Sequence, residues 1–144
     1  YTYGENTVRL IKRASQYQAP ILFHSGDEPL ALPQELAEAA RLCPEATLIF
    51  AHIGGYFHCE AAIRAAERYE NIYLDTSGMP YPGVISEAVE RIGSERVIFG
   101  SDGPGCLPAL EVDKVKMAGL SPGQEENVFT KNIMRILRGV NHDV

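Results

Sequence analysis

The sequence predicts an α/β fold of parallel strand–helix units, about half of a (β/α)8 barrel of the TIM type. Three observations lead there. Short apolar runs alternate with helix-period segments along the whole chain, the pattern of βαβ units and a parallel sheet. The runs are continuous in apolarity and do not alternate with polar residues, as expected for strands with both faces buried. The runs end at His24, His52, Asp75 and Asp102, at intervals of 28, 23 and 27 residues. A closed barrel of eight units in ~250 residues allows about 31 per unit, so the four visible units make half of one.

Each element has its own signal. Residues 5–18 read as a helix, with Val8, Ile11, Ala14 and Gln18 in line and Leu10 and Tyr17 beside them; Ala19-Pro20 ends it. Strand 21–24 follows. Pro33 suits a first helical turn, Leu36, Ala39, Ala40 and Cys43 recur at helical spacing, and Pro44 stops the helix. Strand 47–52 precedes a helix over 57–69 with Cys59, Ala62, Ile63, Ala66 and Tyr69 on one face. Strand 72–75 leads to a helix over 83–92, with Gly93 as a left-handed stop. Strand 97–101 is the last. Pro108 opens a shorter helix ending near Gly119. Ser121-Pro122-Gly123-Gln124 resembles a capping box before a closing helical stretch, with room for a kink, that stops at Gly139.

A chain of 144 residues fits one domain, 1–144, and buries roughly 70% of its unfolded surface. Its net charge of -6, with no basic cluster, argues against a nucleic-acid partner. No apolar run nears the ~20 residues of a bilayer span, and no signal peptide is seen. The three cysteines, Cys43, Cys59 and Cys106, are odd in number and scattered, which points to a reducing, cytoplasmic setting. The opening Tyr1-Thr2-Tyr3-Gly4 lacks an initiating Met and reads as a chain cut from something longer.

The chemistry concentrates at the strand ends. In parallel α/β folds the C-terminal strand ends share the rim that carries the active site. His24, His52 and Asp102 would meet there, and two imidazoles with a carboxylate suit a divalent metal, zinc first and manganese second. Asp102 could ligate and also take a proton. Gly54 and Gly55 after His52 allow close approach of a ligand, and the hydroxyl of Ser77 could touch substrate. A lone histidine bonded to backbone, a tight turn or an Asp cap explains each residue singly; three such ends on one rim favour the site. His58 and His142 read as incidental. Gly103-Pro104-Gly105 is a weak candidate for anion binding.

Phe23-His24-Ser25-Gly26, Ala51-His52-Ile53-Gly54-Gly55, Leu74-Asp75-Thr76-Ser77-Gly78 and Phe99-Gly100-Ser101-Asp102 resemble the latter half of the amidohydrolase superfamily, in the amidohydrolase-2 or aminocarboxymuconate-semialdehyde decarboxylase-like branch. Lys131-Asn132-Ile133-Met134-Arg135-Ile136-Leu137 resembles that branch's closing helix. The resemblance implies barrel strands five to eight. It makes His24 the metal ligand of strand five, His52 the strand-six histidine that binds metal or acts as acid/base, and Asp102 the strand-eight aspartate that binds metal and handles the proton of water. The family's His-x-His of strand one has no counterpart here.

The expected activity is metal-assisted hydrolysis of a small carbonyl substrate such as an amide or lactone, with non-oxidative decarboxylation as its sibling. A truncated half-barrel without independent activity is the rival. The expected partners are a homo-oligomeric copy or a missing N-terminal half, because strands 21–24 and 97–101 would keep unpaired edges. A small doubly wound domain binding nucleotide or phosphate is the third reading, weakened by the lack of a Gly-rich loop after the first strand.

Overall fold

The computed structural model describes residues 3–141; His142 lies outside them. Four strands form one parallel sheet in sequence order: β1 (Ile21–Phe23), β2 (Leu48–Phe50), β3 (Ile72–Asp75) and β4 (Val97–Ile98). Among the described residues, seven α-helices accompany them: α1 (Glu5–Gln16), α2 (Pro33–Leu42), α3 (Cys59–Arg68), α4 (Pro82–Ile92), α5 (Pro108–Met117), α6 (Pro122–Glu126) and α7 (Asn132–Arg138). Prolines open α2, α4, α5 and α6. There the missing N–H costs nothing and φ is already helical.

The main core lies between one face of the sheet and the helices. Leu48, Phe50, Ile72, Leu74 and Val97 meet Ile11, Leu36, Ile63, Ile85, Val115 and Val128, all fully buried. The opposite face carries a smaller cluster, Ile49 and Ile98 against Ile136, with Tyr73 and Ile133 packed on it, so α7 lies over that face. Its cover does not reach β1, where Leu22 is 63% exposed.

Several boundaries differ from the sequence reading. The first helix ends at Gln16 and not at 18, the first strand ends at Phe23, and the third helix runs from Cys59 to Arg68. Three further differences have a visible cause. The second strand stops at Phe50, and a tight turn over Ala51–Gly54 puts His52 and Ile53 at positive φ (65° and 43°). The last strand keeps only Val97 and Ile98, because the Phe99 N–H bonds to the Val128 carbonyl at 2.9 Å and leaves the ladder. Gly93 has positive φ (84°), but its ψ of 146° lies outside the left-handed helical basin.

The capping box at Ser121 forms as expected: Gln124 N–H donates to Ser121 Oγ (3.4 Å), and Ser121 N–H donates to Gln124 Oε1 (2.9 Å). The closing stretch is interrupted by a wide π turn over Asn127–Lys131. Asn132, fully buried, anchors α7 by donating to the carbonyls of Ser94 (2.7 Å) and Val97 (2.8 Å). Among the described residues no helix is long and apolar enough to cross a membrane.

The layer of α3 and α4 is tied outside by Arg91, which reaches Glu60 (2.6 Å), Glu67 (2.8 Å) and Glu87 (2.6 Å). Hydrogen bonds from Arg91 and then Arg64 hold the Glu60 carboxyl down at about 2. The folded value lies below the ordinary 4.5, so this contribution is present above about pH 4.5 and is lost as pH falls towards 2. Melting temperatures measured between about pH 5 and pH 2 should fall less steeply for Arg91→Met than for the wild type. Parallel slopes would remove the network as a source of acid sensitivity.

Candidate active site

The rim at the C-terminal strand ends holds a cleft of about 200 Å³, lined among others by His24, His52, Gly55, Gly78, Asp102 and Cys106. Four of the residues singled out from the sequence, His24, His52, Gly55 and Asp102, therefore share one mouth. His24 follows β1, His52 sits in the turn after β2, and Asp102 follows β4 with φ of 52°. The two imidazoles stand edge to face with centroids 4.9 Å apart. A Cβ on Gly78 would lie 3.0 Å from His52 Nδ1 and 3.5 Å from Asp102 Oδ2, so both groups flank that glycine. Gly55 lines the cleft; Gly54 lies behind it, against Pro33, Cys59 and Ala62.

Each imidazole is oriented by a partner. His52 Nδ1 lies 2.9 Å from the Ser77 carbonyl oxygen. A carbonyl only accepts, so Nδ1 carries the proton and Nε2 keeps its lone pair for a cation or a proton. His24 Nε2 lies 2.8 Å from Glu28 Oε2. In neutral His24 that nitrogen donates, which leaves Nδ1 with the lone pair. The same hydrogen bond lowers the Glu28 carboxyl below its ordinary value.

Beneath the rim Asp75, 8% exposed, organises the turn after β3. Its Oδ1 accepts from the Ser77 N–H (3.0 Å) and from Ser77 Oγ, an Asx turn. Ser77 Oγ also lies 3.1 Å from His52 Nδ1. The Ser77 hydroxyl is thus engaged within the protein, 5% exposed as a residue. Asp27 holds the opposite lip by accepting from the N–H groups of Tyr56 (3.0 Å) and Phe57 (3.0 Å). Cys106 Sγ stands 4.0 Å from Asp102 Oδ2.

Asp27, Glu28, Asp75 and Cys106 were not among the site residues read from the sequence. Asp75 was the findable one, as the end of the third strand. The others depend on loops whose approach no local pattern announces.

The donors present are the kinds a borderline divalent cation takes. Among the described residues, however, no three His, Cys, Asp or Glu side chains gather closely enough to hold a metal ion. The rim supplies ligand types and directions without closing a cation site.

The C-terminal rim of a parallel sheet is where TIM-barrel folds place their active sites, and it is where His24, His52 and Asp102 stand. The chain belongs to the amidohydrolase family, whose model matches residues 1–139. Among solved structures it is similar to an uncharacterised TIM-barrel protein of Bordetella bronchiseptica (18% identity, TM-score 0.83, covering 96% of this chain and 52% of that one). It is also similar to a dihydroxybenzoic acid decarboxylase of Polaromonas with bound manganese and the inhibitor 2-nitroresorcinol (17%, TM-score 0.72, 96% and 55%). A third is an amidohydrolase of Burkholderia multivorans with bound zinc (15%, TM-score 0.71, 94% and 58%). The chain thus spans about half the length of the structures it matches. No curated protein matches its sequence.

Proposed function

We propose that this chain supplies the acid–base half of a metal-dependent amidohydrolase active site that hydrolyses a small amide, lactone or similar C–N or C–O bond. The observation that carries the reading is the meeting of His24, His52 and Asp102 in one cleft, with each imidazole already directed by a partner. A divalent cation, zinc or manganese, supplies Lewis-acid polarisation in such sites. His24 through Nδ1, His52 through Nε2 and Asp102 are the residues offered to it, and the cation site needs further donors to close. Asp102 accepts the proton of the attacking water. His52 presents Nε2 to developing negative charge, or passes a proton onward, while Ser77 holds its far nitrogen. Gly55 and Gly78 leave room for the substrate beside these groups.

Non-oxidative decarboxylation in the same cleft is the second reading, supported by the likeness to the manganese-bearing decarboxylase. It would use the same proton-moving groups on carbon in place of water.

Calorimetric titration of zinc and manganese into the purified chain tests the site. We expect one ion per chain, bound weakly for lack of a closed cage, with affinity falling at least about tenfold in His24→Ala and in Asp102→Ala. No binding by the wild type, or binding untouched by either substitution, would end the proposal. Hydrolysis of an ester and lactone panel, set against CO2 release from aromatic carboxylic acids, then separates the two chemistries.

A further inference from the structure

Glu111 and Lys114 on α5 are 8% and 7% exposed and paired with each other, outside the lining of the cleft. Taking two charges out of water is costly, and the pair by itself rarely repays it. The rotation of α5 adds to that cost. The helix turns this polar pair inward and leaves Leu110 and Met117 63% and 74% exposed, against its own hydrophobic pattern.

The inward pair has a definite target. Lys114 Nζ donates to the Thr76 carbonyl at 2.6 Å. Glu111 Oε2 accepts from the Gly78 N–H at 3.1 Å. The two side chains therefore grip the backbone on both sides of Ser77, and the Ser77 carbonyl is what accepts from His52 Nδ1.

We propose that Glu111 and Lys114 are positioning residues that lock the Thr76–Gly78 turn and, through the Ser77 carbonyl, fix the tautomer and orientation of the His52 imidazole. The proposal rests on the reading of His52 as a working group of the cleft. Asp75 holds the same turn from the strand side by its bonds to Ser77. The helix pair holds it from the other side, so the carbonyl cannot swing away when the histidine is loaded.

The test is the tautomer itself, read by long-range proton–nitrogen spectra of the metal-free chain labelled at its 4 histidines, with His52→Gln assigning the signal. The wild type should show His52 protonated at Nδ1. Glu111→Met with Lys114→Met removes both charges and both backbone contacts together, so no buried charge is stranded. In that variant the tautomers should mix, and zinc affinity should fall about 10–100-fold, the usual effect of losing an outer-shell partner. A folded double variant with an unaltered Nδ1–H signal, or a wild type protonated at Nε2, overturns the proposal. If the double variant does not fold, Glu111→Gln with Lys114→Met, which keeps an acceptor for the Gly78 N–H and removes the donor to the Thr76 carbonyl, is read by the same signal and the same criterion. A wild type that shows the Nδ1–H tautomer and loses it in the variants, yet binds no zinc, supports the positioning role while sinking the proposed metal site.

Discussion

Gly100→Ala is expected to cost about 1–3 kcal/mol, the usual range for overpacking a filled interior. At roughly 2–4 °C per kcal/mol for a chain near this size, the melting temperature should drop by about 2–12 °C. A Cβ on Gly100 would lie 2.8 Å from the carboxyl carbon of Asp75 and 3.0 Å from its Oδ1, with Oδ2 closer still. Asp75 has little freedom to yield. It is 8% exposed, and its Oδ1 holds both the N–H and the hydroxyl of Ser77. Any shift that relieves the clash loosens Ser77, and with it the partner of His52 Nδ1. The substitution should therefore disturb the His52 signal as well as stability. Gly123→Ala serves as control: nothing lies within 4 Å of the added methyl and the residue is in α6, so stability should hold or rise. Equal melting temperatures for Gly100→Ala and the wild type would show that Asp75 is not confined.

That pairing of Gly100 with Asp75 also marks what the sequence conveys. The four strands were legible because apolar runs bounded by Pro, Gly and charge have few other fates, and the rim positions of His24, His52 and Asp102 follow from strand ends in a parallel sheet. The strand limits were less legible. Strand 47–52 ends early because the turn bends at His52 and Ile53, and a left-handed Ile has no local signature. Strand 97–101 shrinks because Phe99 finds the Val128 carbonyl, a partner nearly thirty residues downstream. The grip on the Ser77 turn was not legible at all. Glu111 and Lys114 stand at ordinary salt-bridge spacing, and only the rotation of α5 makes that pair internal. Glu28 and Asp27 likewise gain their roles from where the loop after β1 lands, beside His24 in one case and under Tyr56 and Phe57 in the other.

Phe50→Ala should be the most damaging single change to stability, about 3–5 kcal/mol, with a melting loss of about 6–20 °C. Phe50 is fully buried in β2, in register with Phe23 and Leu74, and the helix layer packs on it with no solvent path. One residue earlier in register the outcome reverses for β1. Leu22, Ile49 and Tyr73 form a row on the sheet face opposite that layer. α7 covers Ile49 there but leaves Leu22 63% exposed. Leu22→Ala should therefore stay within about 0.5 kcal/mol of the wild type in dilute solution. In a completed barrel the same leucine would face a filled interior and its truncation would cost 2–5 kcal/mol. Urea unfolding of both variants at low and high protein concentration separates the two cases. A Phe50→Ala loss that is constant while the Leu22→Ala loss grows with concentration would mean that a second copy covers this face. If both losses are independent of concentration and Leu22→Ala is silent, the four-stranded unit stands alone with α7 as its partial cover.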